Sequence, residues 1–118
     1  MITAALGVIL AVASSVNPQL MRATHYGPKL EGHTMANGHQ YHARDMVVAC
    51  NEYPLGTRLR LLNPVTLKGV YVVVTDRTAK TKHNKPVIDL SGHVFDVLGM
   101  SHRRGWGWIK VTPVVTVS

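Results

Sequence analysis

The sequence is poor in cysteine, in acidic residues and in long apolar runs, and each shortage excludes a class of protein. Cys50 is the single cysteine among 118 residues, so no disulfide can form within the chain and the core must hold the fold. Its mid-chain position also excludes the role of a lipoprotein's lipid-bearing cysteine, which directly follows the export segment. We therefore interpret Cys50 as a small buried hydrophobe rather than a nucleophile.

Acidic residues are half as frequent as basic ones. Six Asp and Glu residues face thirteen Lys and Arg residues, which gives a net charge of +7. This excess favours a polyanionic partner: nucleic acid, an anionic membrane surface or a charged cell-wall polymer. Because the basic residues are scattered and form no dense stripe or recognisable module, we expect no nucleic-acid partner.

The N-terminal segment 1–16 carries no charge and is too short to span a bilayer comfortably. Its small residues Ala11 and Ala13, spaced as at a signal-peptide cleavage site, predict export and a mature chain that begins near Ser14. The usual positive residue near the start is missing, and the alternative is a buried first strand. We expect a folded domain over 17–118, without a membrane span after processing, in the periplasm, the cell wall or the extracellular space.

The remaining chain is long enough for one domain and has a mainly β pattern. Apolar and β-branched segments bounded by Gly, Pro and Asn predict strands at 20–26, 46–50, 58–62, 68–75 and 105–117. Pro54 and Gly56 suit the second and fourth positions of a turn. Short strands in a chain of this length favour a small closed barrel over a sandwich, because closure removes exposed edges.

One short helix is predicted after residue 90. Ser91 can cap its start, and Gly99 is placed to end it. Val94, Phe95 and Leu98 fall on one helical face, which predicts that this face is buried.

Several motifs together resemble a known family. Six motifs occur in the same order as in that family and at about the same spacing: THYGP (24–28), MANGHQY (35–41), YPLGTRLRL (53–61), VVVTDR (72–77), VIDLS (87–91) and VLGM (97–100). The sequence resembles the rare-lipoprotein-A-like double-psi β-barrel domain over about residues 22–115. The resemblance implies a mainly β fold, a small six-stranded double-psi β-barrel with one or two short helices. It also relates the chain to septal lytic transglycosylases and plant expansins.

The resemblance assigns Asp76 the central catalytic role, because the matching aspartate of catalytic members lines an open groove and is required for cleaving peptidoglycan. A lytic transglycosylase protonates the glycosidic oxygen and then takes a proton from the sugar's own 6-hydroxyl, which leaves a 1,6-anhydro end. One carboxyl group with a raised pKa can do both. The alternative, from the residues alone, is that Asp76 caps a turn or pairs with Arg77.

His39 departs from the family pattern, since catalytic members usually carry glutamate after A-N-G. We consider two alternatives: His39 replaces that glutamate as an acid–base group, or Asp76 acts alone. Asp89 is interpreted as structural, beside free N–H groups at the helix start, with an assisting role. The predicted site is therefore Asp76 and His39 as catalytic residues, with substrate contacts from Tyr26, Asn37, Tyr41, Arg77 and Asp89.

Aromatic residues are further candidates, since aromatic faces stack on sugar rings. Trp106 and Trp108 are two residues apart and share one face of a strand, where core packing is the commoner role. His33, His39 and His42 match no zinc-ligand spacing, so we expect neither a metal nor a cofactor.

The sequence thus predicts a monomeric, exported enzyme that cleaves peptidoglycan glycan strands. The alternative is a non-catalytic, expansin-like module that binds or loosens wall polysaccharide, which the missing glutamate favours. A nucleic-acid binder is favoured by charge alone.

Overall fold

The computed structural model describes residues 17–79 and 85–115. The predicted export segment and its cleavage site lie outside the described residues. The strands are β1 Gln19–His25, β2 Val47–Cys50, β3 Arg58–Leu62, β4 Gly69–Asp76, β5 Val87–Leu90 and β6 Gly107–Pro113; helix α1 is Gly92–Val97, and a 3₁₀ turn covers Pro28–Leu30.

The strands close into a barrel with the order β1-β5-β2-β4-β3-β6. Two neighbouring pairs are parallel, β1 with β5 and β2 with β4, and the other four are antiparallel. This mixed, closed arrangement with one helix and one 3₁₀ turn confirms the predicted fold class.

Alternation along the strands separates the barrel interior from its outer face. In β1 the side chains of Met21 and Ala23 are fully buried while Arg22 between them is exposed. The interior is filled by aliphatic residues with Phe95 of α1, and the thiol of Cys50 is part of this core. Cys50 is fully buried, which confirms its interpretation as a small buried hydrophobe, and this burial raises the pKa of its thiol to about 11.

Helix α1 has the predicted ends and the predicted buried face. Ser91 is the N-cap, and its hydroxyl accepts a hydrogen bond from the Val94 N–H at 3.3 Å. Gly99 ends the helical region with a φ of 67°, a value that favours glycine. Val94, Phe95 and Leu98 are all fully buried.

Two local expectations need correction. The turn before β3 begins at Pro54, because the Thr57 N–H donates to the Pro54 carbonyl at 3.1 Å. Gly56 is thus the third residue of this turn, and its φ of 90° explains why glycine is needed there. Asp89, which we expect at the helix start, belongs instead to the segment VIDL, and this segment forms strand β5 between β1 and β2.

Candidate functional site

The candidate site is a groove on the outer face of the barrel, formed where β1, β5, β2 and β4 lie side by side. Its volume is about 310 Å³, and the residues that line it are Thr24, Tyr26, Leu30, Ala49, Asp76, Arg77, Thr78, Ala79, Val87 and Asp89.

Strand register places two carboxylates in one row across this groove. Asp89 on β5 is directly opposite Ala49 on β2, and Ala49 is directly opposite Asp76 on β4. Two strand spacings separate the backbones of the two aspartates by about 10 Å. The small side chain of Ala49 lies between them and leaves the groove open.

A register shift explains how Asp76 comes to lie in that row. Val48 pairs with Val74, but the next residue, Ala49, pairs with Asp76, so Thr75 is the extra residue of a β-bulge. The bulge leaves Thr75 buried, with its hydroxyl donating to the Met35 sulfur at 3.2 Å. Asp76 is thereby aligned with Ala49 in the wall of the groove.

Three donors fix the carboxylate of Asp76. Oδ1 accepts the backbone N–H groups of Ala36 and Arg77, both at 2.9 Å. Oδ2 accepts the phenol hydroxyl of Tyr26 at 2.8 Å. Burial, followed by the hydrogen bond to Asp76 and the charge of that carboxylate, raises the pKa of Tyr26, so the phenol is a donor at every ordinary pH. This donor set suits an anionic acceptor held in one orientation.

Tyr41 supports Tyr26 from behind. The two rings stack with centroids 4.0 Å apart and planes 8° from parallel. Tyr41 is only 2% exposed, and its hydroxyl oxygen accepts the Gly92 N–H at 3.2 Å. The structure thus places Tyr41 beneath Tyr26, with both its ring and its hydroxyl engaged inside the protein.

Arg77 does not pair with Asp76 through its side chain. Its guanidinium Nη1 donates to the carbonyl oxygens of Cys50 and Tyr53, both at 2.6 Å. The side chain thus ties the end of β4 to the segment after β2. The guanidinium group and the Asp76 carboxylate make separate contacts, which excludes the predicted alternative of an ion pair between neighbours.

Asp89 lies in the groove wall and not at the helix N-terminus. Its Oδ1 accepts the Thr24 hydroxyl at 3.0 Å, whereas Ser91 caps the helix. Burial raises the pKa of Asp89; the Thr24 hydrogen bond and the charge of His25 oppose this shift, and the charge of Asp76 adds to it. The carboxyl group is consequently predisposed to hold a proton. Sequence reasoning missed Thr24, which the alternation of β1 directs outward.

His39 and Asn37 lie in an exposed turn beside the groove but are not among the residues that line it. The Asn37 side-chain oxygen accepts the His39 N–H at 3.0 Å, and the imidazole makes no hydrogen bond with the residues that the structure describes. The turn contributes to the site through its backbone, since the Ala36 N–H binds Asp76.

Of the three histidines in this loop, His42 pairs with a carboxylate. His42 Nδ1 lies 2.6 Å from Glu31 Oε2, and Glu31 Oε1 accepts the Ala43 N–H at 2.8 Å. The Ala43 hydrogen bond and then the one to His42 lower the pKa of Glu31. Within residues 17–79 and 85–115, no cluster of three or more His, Cys, Asp or Glu side chains could hold a metal ion.

The tryptophan pair lies on the outer face and not in the core. Trp108 is 46% exposed and Trp106 is partly buried, and the rings contact edge to face with centroids 6.0 Å apart. The pair does not pack in the core, which is the commoner role of such tryptophans. In β6 it is the side chain of the neighbouring residue Ile109 that points inward and is fully buried.

Comparisons with known proteins place this geometry in a family. The model of the family described as lytic transglycolase matches residues 19–112. "Uncharacterized protein ssl3177" of Synechocystis sp. is 49% identical over 90 residues, which cover 76% of this chain and 92% of that protein. The solved structure of the Streptomyces papain inhibitor has a TM-score of 0.60 at 23% identity, covering 82% of this chain and 96% of that one.

The structural likeness shows the shared barrel alone. The family match runs from the first residue of β1 to the penultimate residue of β6 and thus includes nearly the whole barrel. The chain therefore belongs to the lytic transglycolase family of rare-lipoprotein-A-like double-psi β-barrel domains.

Proposed function

We propose that this protein is a peptidoglycan lytic transglycosylase and that Asp89 is its proton-transferring group. The observation that carries the proposal is the row Asp89–Ala49–Asp76 across an open groove. The Asp89 carboxyl group is partly buried and accepts one hydrogen bond, from Thr24, whereas the Asp76 carboxylate accepts three. Two carboxyl groups in such different environments suit different roles in one reaction.

The reaction needs a group that gives a proton and then takes one back. In this scheme the protonated form of Asp89, which burial favours by raising the pKa, donates its proton to the glycosidic oxygen as the C1–O bond breaks. The resulting carboxylate then accepts the proton of the same sugar's 6-hydroxyl while that oxygen bonds to C1. The products are a 1,6-anhydro end and a free hydroxyl, no water is consumed, and Asp89 is protonated again.

Asp76 supplies fixed negative charge in this scheme. Each of its oxygens already accepts a hydrogen bond, which suits stabilisation of the positive charge that develops at C1. This assignment moves the acid–base role from Asp76, where the sequence placed it, to Asp89. His39 has no part in it, because its side chain is not in the lining of the groove.

The remaining parts of the proposal concern setting and partners. The net charge of +7 suits an anionic wall polymer, and the uncharged segment 1–16 suits export to the periplasm, the cell wall or the extracellular space. We propose a monomer whose partner is the peptidoglycan glycan strand, with neither nucleic acid nor a cofactor involved.

A second candidate is a wall-binding or wall-loosening module without catalysis. The position of His39, which holds the place of the family's glutamate yet does not line the groove, favours this candidate. The name of the Streptomyces protein, a papain inhibitor, also shows that proteins with this barrel differ in function.

Product analysis separates the two candidates. Purified peptidoglycan is incubated with the wild type, Asp89→Asn, Asp76→Asn or Asp96→Asn, and soluble products are identified by mass spectrometry. Asp96→Asn is the matched control, because Asp96 is exposed on α1 and pairs with His102 away from the groove. We expect 1,6-anhydro products from the wild type and the control, and a loss of about 10²-fold or more in both groove variants.

Wild-type protein that binds insoluble peptidoglycan and releases nothing would support the binding module. Activity retained in Asp89→Asn but lost in Asp76→Asn would return the acid–base role to Asp76.

A further inference from the structure

We propose that Trp108 and Arg22 form a second glycan-binding surface that extends the groove across β1 to β6. The inference rests on the proposed function. It identifies the surface that the bound glycan strand contacts beyond Asp76 and Asp89. The surface, called the tryptophan platform below, consists of Arg22 and Trp108 together with Trp106 and Arg104, which pack beside them.

Strand register makes the platform continuous with the groove. Val87 lines the groove on β5 and is directly opposite Arg22 on β1, which is in turn directly opposite Trp108 on β6. Opposed residues of neighbouring strands present their side chains on the same face. The platform therefore begins at Arg22, one strand spacing from Val87 in the groove wall. It ends at Trp108, whose backbone lies two strand spacings, about 10 Å, from that of Val87.

Contacts within the platform leave Trp108 as the free stacking surface. The guanidinium carbons of Arg22 and Arg104 lie 4.6 and 4.1 Å from the centroid of the Trp106 ring, so this ring is already occupied by cations. The edge-to-face contact with Trp106 holds Trp108, which remains 46% exposed. A ring held in place loses little conformational entropy when a ligand stacks on it.

The chemistry of the platform fits an N-acetylated, carboxylate-bearing sugar strand. The electron-rich face of an indole attracts the C–H groups of a sugar ring. A cleft of about 180 Å³ beside the tryptophans is lined by Val65, Met100, Trp106 and Trp108 among others and can take the methyl of an N-acetyl group. The guanidinium groups of Arg22 and Arg104 can pair with the carboxylates that peptidoglycan carries.

Length dependence of binding tests the proposal. Affinities for N-acetylglucosamine oligosaccharides of increasing length are measured by calorimetry in the Asp89→Asn background, which prevents turnover. Trp108→Ala is compared with Tyr71→Ala, because Tyr71 is also an exposed aromatic, at 57%, but lies on β4 and pairs with β3. Thermal melts check that both variants fold.

We expect the affinity of the parent protein, which carries Asp89→Asn alone, to rise with oligosaccharide length until the ligand reaches Trp108. Trp108→Ala should remove that gain, weakening the longest ligand about 3- to 10-fold and the shortest not at all, while Trp108→Phe keeps most of it. Glucose oligomers, which lack the N-acetyl group, should gain less from added length.

The two possible failures differ in pattern. Equal affinities of Trp108→Ala and Tyr71→Ala at every length, with tight binding by the parent, would overturn the platform and leave the groove intact. If the parent protein binds no oligosaccharide and no peptidoglycan, the proposed function fails and the platform fails with it.

Discussion

Replacing Tyr26 with phenylalanine tests how Asp76 is held. The change removes the hydroxyl that donates to Asp76 Oδ2 at 2.8 Å and keeps the ring stacked on Tyr41 at 4.0 Å. Hydrogen bonds to charged groups contribute about 1.5–3 kcal/mol, and because water in the groove can partly replace the phenol we expect the lower end, about 1.5 kcal/mol. For a domain of this size, that loss lowers Tm by about 6–10 °C.

The assay is urea unfolding with a parallel thermal melt, and the control is Tyr71→Phe. Tyr71 is 57% exposed, and its hydroxyl makes no hydrogen bond within the described part of the chain, so its removal should change stability by less than about 0.5 kcal/mol. An unchanged urea m-value would show that the variant unfolds from the same compact state. Equal stability of the two phenylalanine variants would refute the claim that the phenol anchors Asp76.

Three further predictions concern Asp89, Cys50 and Ser91. Because burial raises the pKa of Asp89 above its usual 3.8, the folded state binds the extra proton, so wild-type stability falls as pH rises through the folded pKa. Asp89→Asn should therefore be the more stable protein at pH 7 in urea unfolding, and its advantage in the free energy of unfolding should shrink as the pH falls from the folded pKa to 3.8; an advantage independent of pH would contradict this. Cys50, buried and with a pKa of about 11, should react with a thiol reagent only on unfolding, and rapid labelling of native protein would contradict its core position. Ser91→Ala should cost about 1–2 kcal/mol in the same unfolding assay, since the Val94 N–H loses its acceptor and the Asp45 carbonyl loses its donor; an equally stable Ser91→Ala would contradict the role of Ser91 as the N-cap.

The barrel could be predicted because the sequence patterns that indicate it are either local or lie in the order of the family's motifs. The apolar alternation of β3 and the cap at Ser91 each depend on a few neighbouring residues, and the structure reproduces both. Strand β5 was missed because its four residues, two of them partly exposed, give too short a pattern to separate a strand from a helix entry.

The site was only partly predictable because its geometry depends on pairing between distant strands. Asp76 is brought opposite Ala49 by a bulge, and nothing in the sequence around Thr75 marks that register shift. The pKa of Asp89 likewise depends on burial that pairing with β1 and β2 creates. Tyr41, although next to the candidate loop in sequence, is buried by stacking on Tyr26.

The central claim is that the sugar's own 6-hydroxyl, and not water, attacks C1 after Asp89 gives up its proton. Digesting peptidoglycan in ¹⁸O-labelled water and weighing the released fragments by mass spectrometry tests this claim directly. The account predicts 1,6-anhydro ends that carry no ¹⁸O, since no water enters the reaction. Fragments with one ¹⁸O at the reducing end would show hydrolysis and contradict the account, as would the absence of any released fragment.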